Sequence, residues 1–481
     1  MKKFNTPINV ALLSALTAMS ASCRSQQTPP QVPPFVPMFS ASDCQSIVQY
    51  WTEPGRLTSM PPSNIKELGL FRPHITVQGS RWLLRYERLS QQLAPPTQNG
   101  IADSSKNQDW NRWIQEKFAY DYAQAAILCE KFNQLAGVPT DLVGIHLNAP
   151  SPGACPTQLA QIAGDPPAFA AAAPIIEYKV HFHGLDLMYQ DHVVVPAQYP
   201  YYRFDQGLNS EGRPVKSLSS SHIDRLFQMA GADKKVEDVF NAVSTLEGGF
   251  DAVNTYDTGF VSAGFIQFAS LREGGGSLGE MLLQYKADDP LDFNNDFHRF
   301  GIDVTPQGIL AVVDPSTGIE VQGMDANLEI IQDPRLIAVF QGDGLKSDAY
   351  DSEQIKSAIS QFYPAHDSVT FTLPNGSTTS VIVGDIIHSE AGLATLTDRK
   401  VNTGKLGNLS QVLSDVANEH KINQPNDLSQ YEFEIIQKMR YRRNYLTDSH
   451  LSQPIGSPLY HKSSESSKNV NHGGNGSYPG N

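Results

Sequence analysis

The pattern of apolar and polar positions is clearest in the second half of the chain, where it reads mostly as helix. From Lys234 to Leu246, Val236, Val239, Phe240, Val243 and Leu246 recur every three or four residues, which predicts an amphipathic helix. Glu247 falls at the C-terminal end of that helix, and Gly248-Gly249 stops it. A similar period runs through 223–227, behind serines 219–221 that suit an N-cap. Further helical patterns cover 277–285, 333–340, 353–362, 409–417 and 431–445. Strand-like runs interrupt them at 309–313 with 320–322, and at 369–373 with 380–383. Asn375-Gly376 between the last two runs predicts a tight hairpin.

The first half is less regular. Residues 110–132 read as a helix whose stripe of Trp113, Phe118, Tyr122 and Cys129 suits a core, with Gly137-Val138-Pro139 as its stop. Gly, Pro and a run of Ala between Gly153 and Pro174 mark a boundary or a long loop. A strand pair is expected at 175–183 and 192–195. His181, His183, His192 and Asp186 carry metal-ligand chemistry, but no motif fixes a fourth ligand, so they read as a polar strand face. The predicted fold is α+β, mainly α. A catalytic-looking domain over 216–450 carries the small β hairpin, and a separate N-terminal domain of unknown fold and function occupies 41–215. Residues 451–481 are rich in Ser, Gly, Asn and His with little apolar content, which predicts a disordered tail.

A length of 481 residues exceeds what one core normally supports, and 40% hydrophobic residues is a globular composition. The formal charge of −14, with no basic stripe, argues against binding nucleic acid by neutralising phosphates. Residues 1–22 have the layout of a signal peptide: Lys2 and Lys3, an apolar stretch from Val10 to Leu16, then Ser20-Ala21-Ser22 before Cys23. Export to the periplasm or cell envelope is therefore expected. Cys23 is a candidate lipid anchor, although Ser20 replaces the usual Leu and ordinary cleavage after Ser22 is the alternative. Residues 23–40 are Pro-rich and suit an extended tether. Cys44, Cys129 and Cys155 remain, and the sequence does not say which two would pair.

One stretch carries chemistry. Glu247-Gly248-Gly249-Phe250 is followed by Asp257, ten residues after Glu247, and by Gly264-Phe265-Ile266-Gln267, with Gln267 twenty residues after it. This order resembles the active-site region of the lysozyme-like superfamily. In its lytic transglycosylases a catalytic Glu opens a turn and a Gly-x-x-Gln element follows. Its phage-type lysozymes and chitosanases add an Asp in the intervening loop. The later Ala-x-x-Tyr-Asn-x-Gly element of transglycosylases has no clean copy here.

The resemblance implies an exported glycosidase acting on peptidoglycan or a related amino-sugar polysaccharide, without cofactor or metal. Glu247 would be the general acid, its pKa raised by Phe250, Phe265 and Phe268. Asp257 would activate water in an inverting hydrolysis, roughly 6.5–9.5 Å from the acid, or would be structural in a transglycosylase that uses the sugar's own hydroxyl. Asn254, Thr255, Tyr256 and Ser262 are expected to bind water or sugar, Gln267 to form the cleft floor, and Asn402 to contact sugar. Asp398 and Arg399 are expected to form a structural ion pair. A chitosanase-like hydrolase and a noncatalytic glycan-binding protein are the alternatives.

Overall fold

In a computed structural model the described residues are 35–93, 104–140, 147–190, 209–255 and 259–460. The chain is a mainly helical α+β protein with small antiparallel sheets. Cys23 and the rest of the predicted signal peptide, Tyr256, Asp257, the 192–195 strand and residues 461–481 lie outside the described residues.

The helices of the second half form where the period predicts them, and their caps explain their ends. Ser219 accepts from the His222 amide at 3.3 Å and opens helix Ser220–Met229. Asp233 accepts from the Val236 amide at 2.9 Å and opens helix Lys234–Ser244, which buries Val239, Phe240 and Val243. Helix Pro334–Lys346 is buried nearly all round from Leu336 to Phe340 and runs through the core beside helix Asp348–Phe362. The expected hairpin is strands Ser368–Thr372 and Thr378–Ile382. Leu310–Val313 and Glu320–Gln322 also pair, joined by Ile302–Val304.

Around the candidate site four two-residue strands, Asn209–Ser210, Val253–Asn254, Ser262–Ala263 and Phe268–Ala269, form one antiparallel sheet in chain order. Its second strand follows directly after the turn that ends helix Lys234–Ser244. Its first strand comes from upstream of that helix, so a segment belonging to the expected N-terminal part is woven into the site.

That weaving is general, and the expected separation of 41–215 from 216–450 is not seen in the packing. Phe39, Trp51, Val180 and Phe182 share one continuous core with Phe240, Phe300 and Leu336. Trp51 stacks on Phe182 with centroids 5.7 Å apart, and its indole N–H donates to the Phe300 carbonyl at 2.9 Å. Among the described residues a small second cluster, including Trp82, Trp113, Leu159 and Phe169, is packed apart from it. Trp113 and Cys129 are buried as expected. Strand Glu177–Phe182 turns at His183-Gly184 and pairs at once with Leu185–Gln190, earlier than the sequence suggested. His181 bonds Asp186 at 2.9 Å, while the Nε2 of His183 lies 2.9 Å from the Asp343 carboxyl, so His181 and His183 have different carboxylate partners; His192 lies outside the described residues.

Both expected flexible ends are partly docked. The Met38 amide bonds Glu320 at 3.0 Å and Phe39 enters the core, so the tether ends before residue 40. Leu451 is buried and the Ser452 amide donates to Glu390 at 2.6 Å, so the packed chain continues to Tyr460. Among the described residues Cys44, Cys129 and Cys155 form no disulfide. Among the described residues no helix is long and apolar enough to cross a membrane.

Candidate active site

Helix Lys234–Ser244 stops at Thr245, and the Glu247 amide still donates to the Ser244 carbonyl at 3.0 Å, so Glu247 is held in the last turn. Gly248 and Gly249 are required next for space. Gly248 has φ of 150°, and a Cβ there would meet the Ala252 side chain at 2.7 Å. A Cβ on Gly249 would fall 2.0 Å from the Arg213 carbonyl. The turn lets Phe250 drop into the core against Phe265, centroids 4.9 Å apart, while Glu247 lines a cleft.

The expected apolar surroundings of Glu247 are therefore absent. Its side chain, 12% exposed, meets two groups from the C-terminal third of the chain: the Arg442 guanidinium and the Asn402 amide, which donates at 3.2 Å. Both contacts fall on Oε1. Oε2 takes no hydrogen bond among the described residues. Asn402 stands one helical turn after Asp398 on helix Glu390–Thr403, which packs against helix Lys234–Ser244, and its Nδ2 also bonds the Asp398 carbonyl at 3.1 Å. Asp398, 1% exposed, accepts from Arg442 Nε at 3.0 Å and from its NH2 group at 2.5 Å. Burial works against the Arg442 charge, but hydrogen bonds and charge from Asp398 and Glu247 outweigh it and raise its pKa above the ordinary value. The next residue, Arg443, donates to Thr245 Oγ1 at 2.7 Å and to the Ala242 carbonyl at 3.2 Å, pinning the same helix end. Asp398 thus pairs with Arg442 and not with its expected partner Arg399, which donates to the Met439 carbonyl at 3.3 Å.

Glu247 lines a cleft of about 210 Å³. One wall is Ser244 to Gly248; the other is Glu211, Pro214, Val215 and Lys216. The second wall is fastened to the first. The Gly249 amide donates to the Glu211 carbonyl at 2.9 Å, and the Arg213 amide donates to Asp251 Oδ1 at 2.9 Å. Burial pushes the Asp251 carboxyl up, against the Arg213 amide and charge that favour its ionised form.

The other predicted site residues are distributed differently. Asn402 is brought to Glu247, but through a hydrogen bond to the carboxylate. Thr255 and Ser262 are buried, at 0% and 3% exposure, which removes them from direct contact with a sugar. Asn254 lies in the sheet and is absent from the cleft lining among the described residues. Gln267 holds a positive φ of 56° and donates to the Gly264 carbonyl at 3.1 Å, bracing its own turn instead of flooring the cleft. Arg442, Glu211 and Lys216 were not singled out from the sequence. Their only signal is spatial, since no periodicity or motif surrounds them. Comparison with protein-family models, with curated proteins and with solved structures finds no match for this chain.

Proposed function

We propose that this protein is an exported glycosidase that cleaves the glycan strand of peptidoglycan or a related amino-sugar polysaccharide, with Glu247 as general acid. The observation that carries the reading is the asymmetric hold on Glu247 in the cleft. Arg442 and Asn402 hold Oε1, and among the described residues Oε2 has no partner, which leaves it to hold and deliver a proton. Protonating the leaving oxygen is the step such a reaction requires, and a carboxyl group anchored by one oxygen is oriented to perform it. The turn-and-sheet sequence after Glu247 supports the same reading, since it sets the acid at the junction of a packed helix and a small sheet. Export, and anchoring through Cys23, follow from the N-terminal sequence and belong to the proposal.

A second reading is favoured by one contact. Arg442 pairs with Glu247, and a carboxylate in an ion pair accepts hydrogen bonds instead of donating them, which suits a cleft that holds glycan without cutting it. Purified cell walls and chitosan, each incubated with the wild type and with Glu247→Gln, separate the readings. A catalyst releases soluble fragments that the variant does not. Binding by both proteins with no fragments from either establishes the noncatalytic role, and cleavage by the variant removes Glu247 as the acid.

A further inference from the structure

Hydrolysis needs a second group, one that takes the proton of the attacking water. Among the described residues, Glu211 is the other carboxylate in the cleft that Glu247 lines. Its backbone is fixed on three sides. The preceding strand Asn209–Ser210 pairs with Val253–Asn254, its own carbonyl accepts from Gly249, and the Arg213 amide two residues on is tied to Asp251. Its side chain, by contrast, is exposed and takes no hydrogen bond or ion pair among the described residues. Rigid backbone, open carboxylate and cleft position together are what a reacting group requires, and a surface glutamate has no need of the first.

We propose that Glu211 is the second carboxylate of this cleft and acts as general base for the attacking water. The inference rests on the reading of Glu247 as acid. In the step, Glu211 removes a proton from water as its oxygen bonds the anomeric carbon, and the glycosidic C–O bond breaks. Glu247 passes its proton from Oε2 to the leaving oxygen. The products are two sugars, one with a new reducing end, and one proton has moved from Glu247 to Glu211.

The full chain is assayed on purified peptidoglycan and on chitosan oligomers as wild type, Glu211→Gln, Glu211→Ala, Asp257→Asn and Glu247→Gln, with unfolding midpoints measured for each. Glu211→Gln and Glu211→Ala are expected to lose on the order of 10²–10⁴-fold in rate at an unchanged midpoint. Sodium azide should restore turnover of Glu211→Ala and give a glycosyl azide, because a small anion replaces water without needing a base. A merely structural glutamate gives no such product, so loss of rate without azide rescue overturns the role. Near wild-type activity in both Glu211 variants overturns it too, as does azide rescue confined to an Asp257 variant, or release of 1,6-anhydro sugars by the wild type. An active Glu247→Gln instead defeats the underlying assignment of the acid, an outcome read independently of Glu211.

Discussion

Arg442 and Glu247 stand 195 residues apart in the chain and meet at a single oxygen, Glu247 Oε1. The same guanidinium serves Asp398, which is 1% exposed and among the described residues has no hydrogen-bond partner for its Oδ2. Arg442 therefore has two tasks: it orients the candidate acid, and it compensates a buried charge. The second sets the stability of the site, because a buried carboxylate without a counter-charge is far more costly than an exposed one.

Arg442→Met should accordingly destabilise the protein by about 3–5 kcal/mol, since it leaves Asp398 uncompensated. Arg442→Lys should lose less, because an ammonium keeps the charge and gives up the two-sided geometry. Adding Asp398→Asn to Arg442→Met should recover part of the loss. Urea unfolding followed by fluorescence measures all three. A loss under about 1 kcal/mol in Arg442→Met, the range of an exposed pair, would mean that the contact with Asp398 contributes little.

A pH effect follows from Glu353. Burial pushes its carboxyl up to about 7, against the Lys356 charge that lowers it, and among the described residues its Oε1 has no hydrogen-bond partner. A carboxyl raised in the folded state is tolerated while protonated, so its contribution is full below the unfolded value near 4.5 and is lost as pH rises to about 7. Asp343 and Asp351, also raised by burial, extend the loss in the same direction. Glu353→Gln should remove roughly 1–2 kcal/mol of the loss between acid and neutral pH, after allowance for solvent screening. Midpoints measured from pH 4 to 8 test it; parallel curves for wild type and variant would contradict it.

What was legible in the sequence was local. The helix ending at Ser244 and the Asn375-Gly376 hairpin depend on neighbours a few residues away, so periodicity and turn chemistry place them closely. Glu247 at a helix end was legible for the same reason. Its surroundings were not, because Arg442 and Asn402 reach it across long sequence separations that leave no periodic trace. The expected Asp398–Arg399 pair failed on geometry. Adjacent helical residues face different ways, so Asp398 meets Arg442 while Arg399 turns toward Met439 and the Tyr441 ring. Composition shifts at 153–174 suggested a domain boundary, but they say nothing about Phe182 packing on Gly342, where a Cβ would come within 2.3 Å of the ring.

The shared core makes its own prediction through Trp51. Its ring is 1% exposed, packs against Phe182 and Phe300, and hydrogen-bonds the Phe300 carbonyl, so it joins helix Ala41–Thr52 to the part of the chain that carries Glu247. Trp51→Ala removes a large buried side chain and leaves that carbonyl short of a partner. The expected cost is about 3–5 kcal/mol. The loss should fall on the whole core at once: thermal unfolding followed by far-UV circular dichroism should shift to lower temperature as one transition, and the proposed glycan cleavage should be lost over the same range. Independent domains would behave differently. A variant that melts in two steps, with only the first displaced and cleavage surviving it, would show that residues 41–215 fold apart from the site after all.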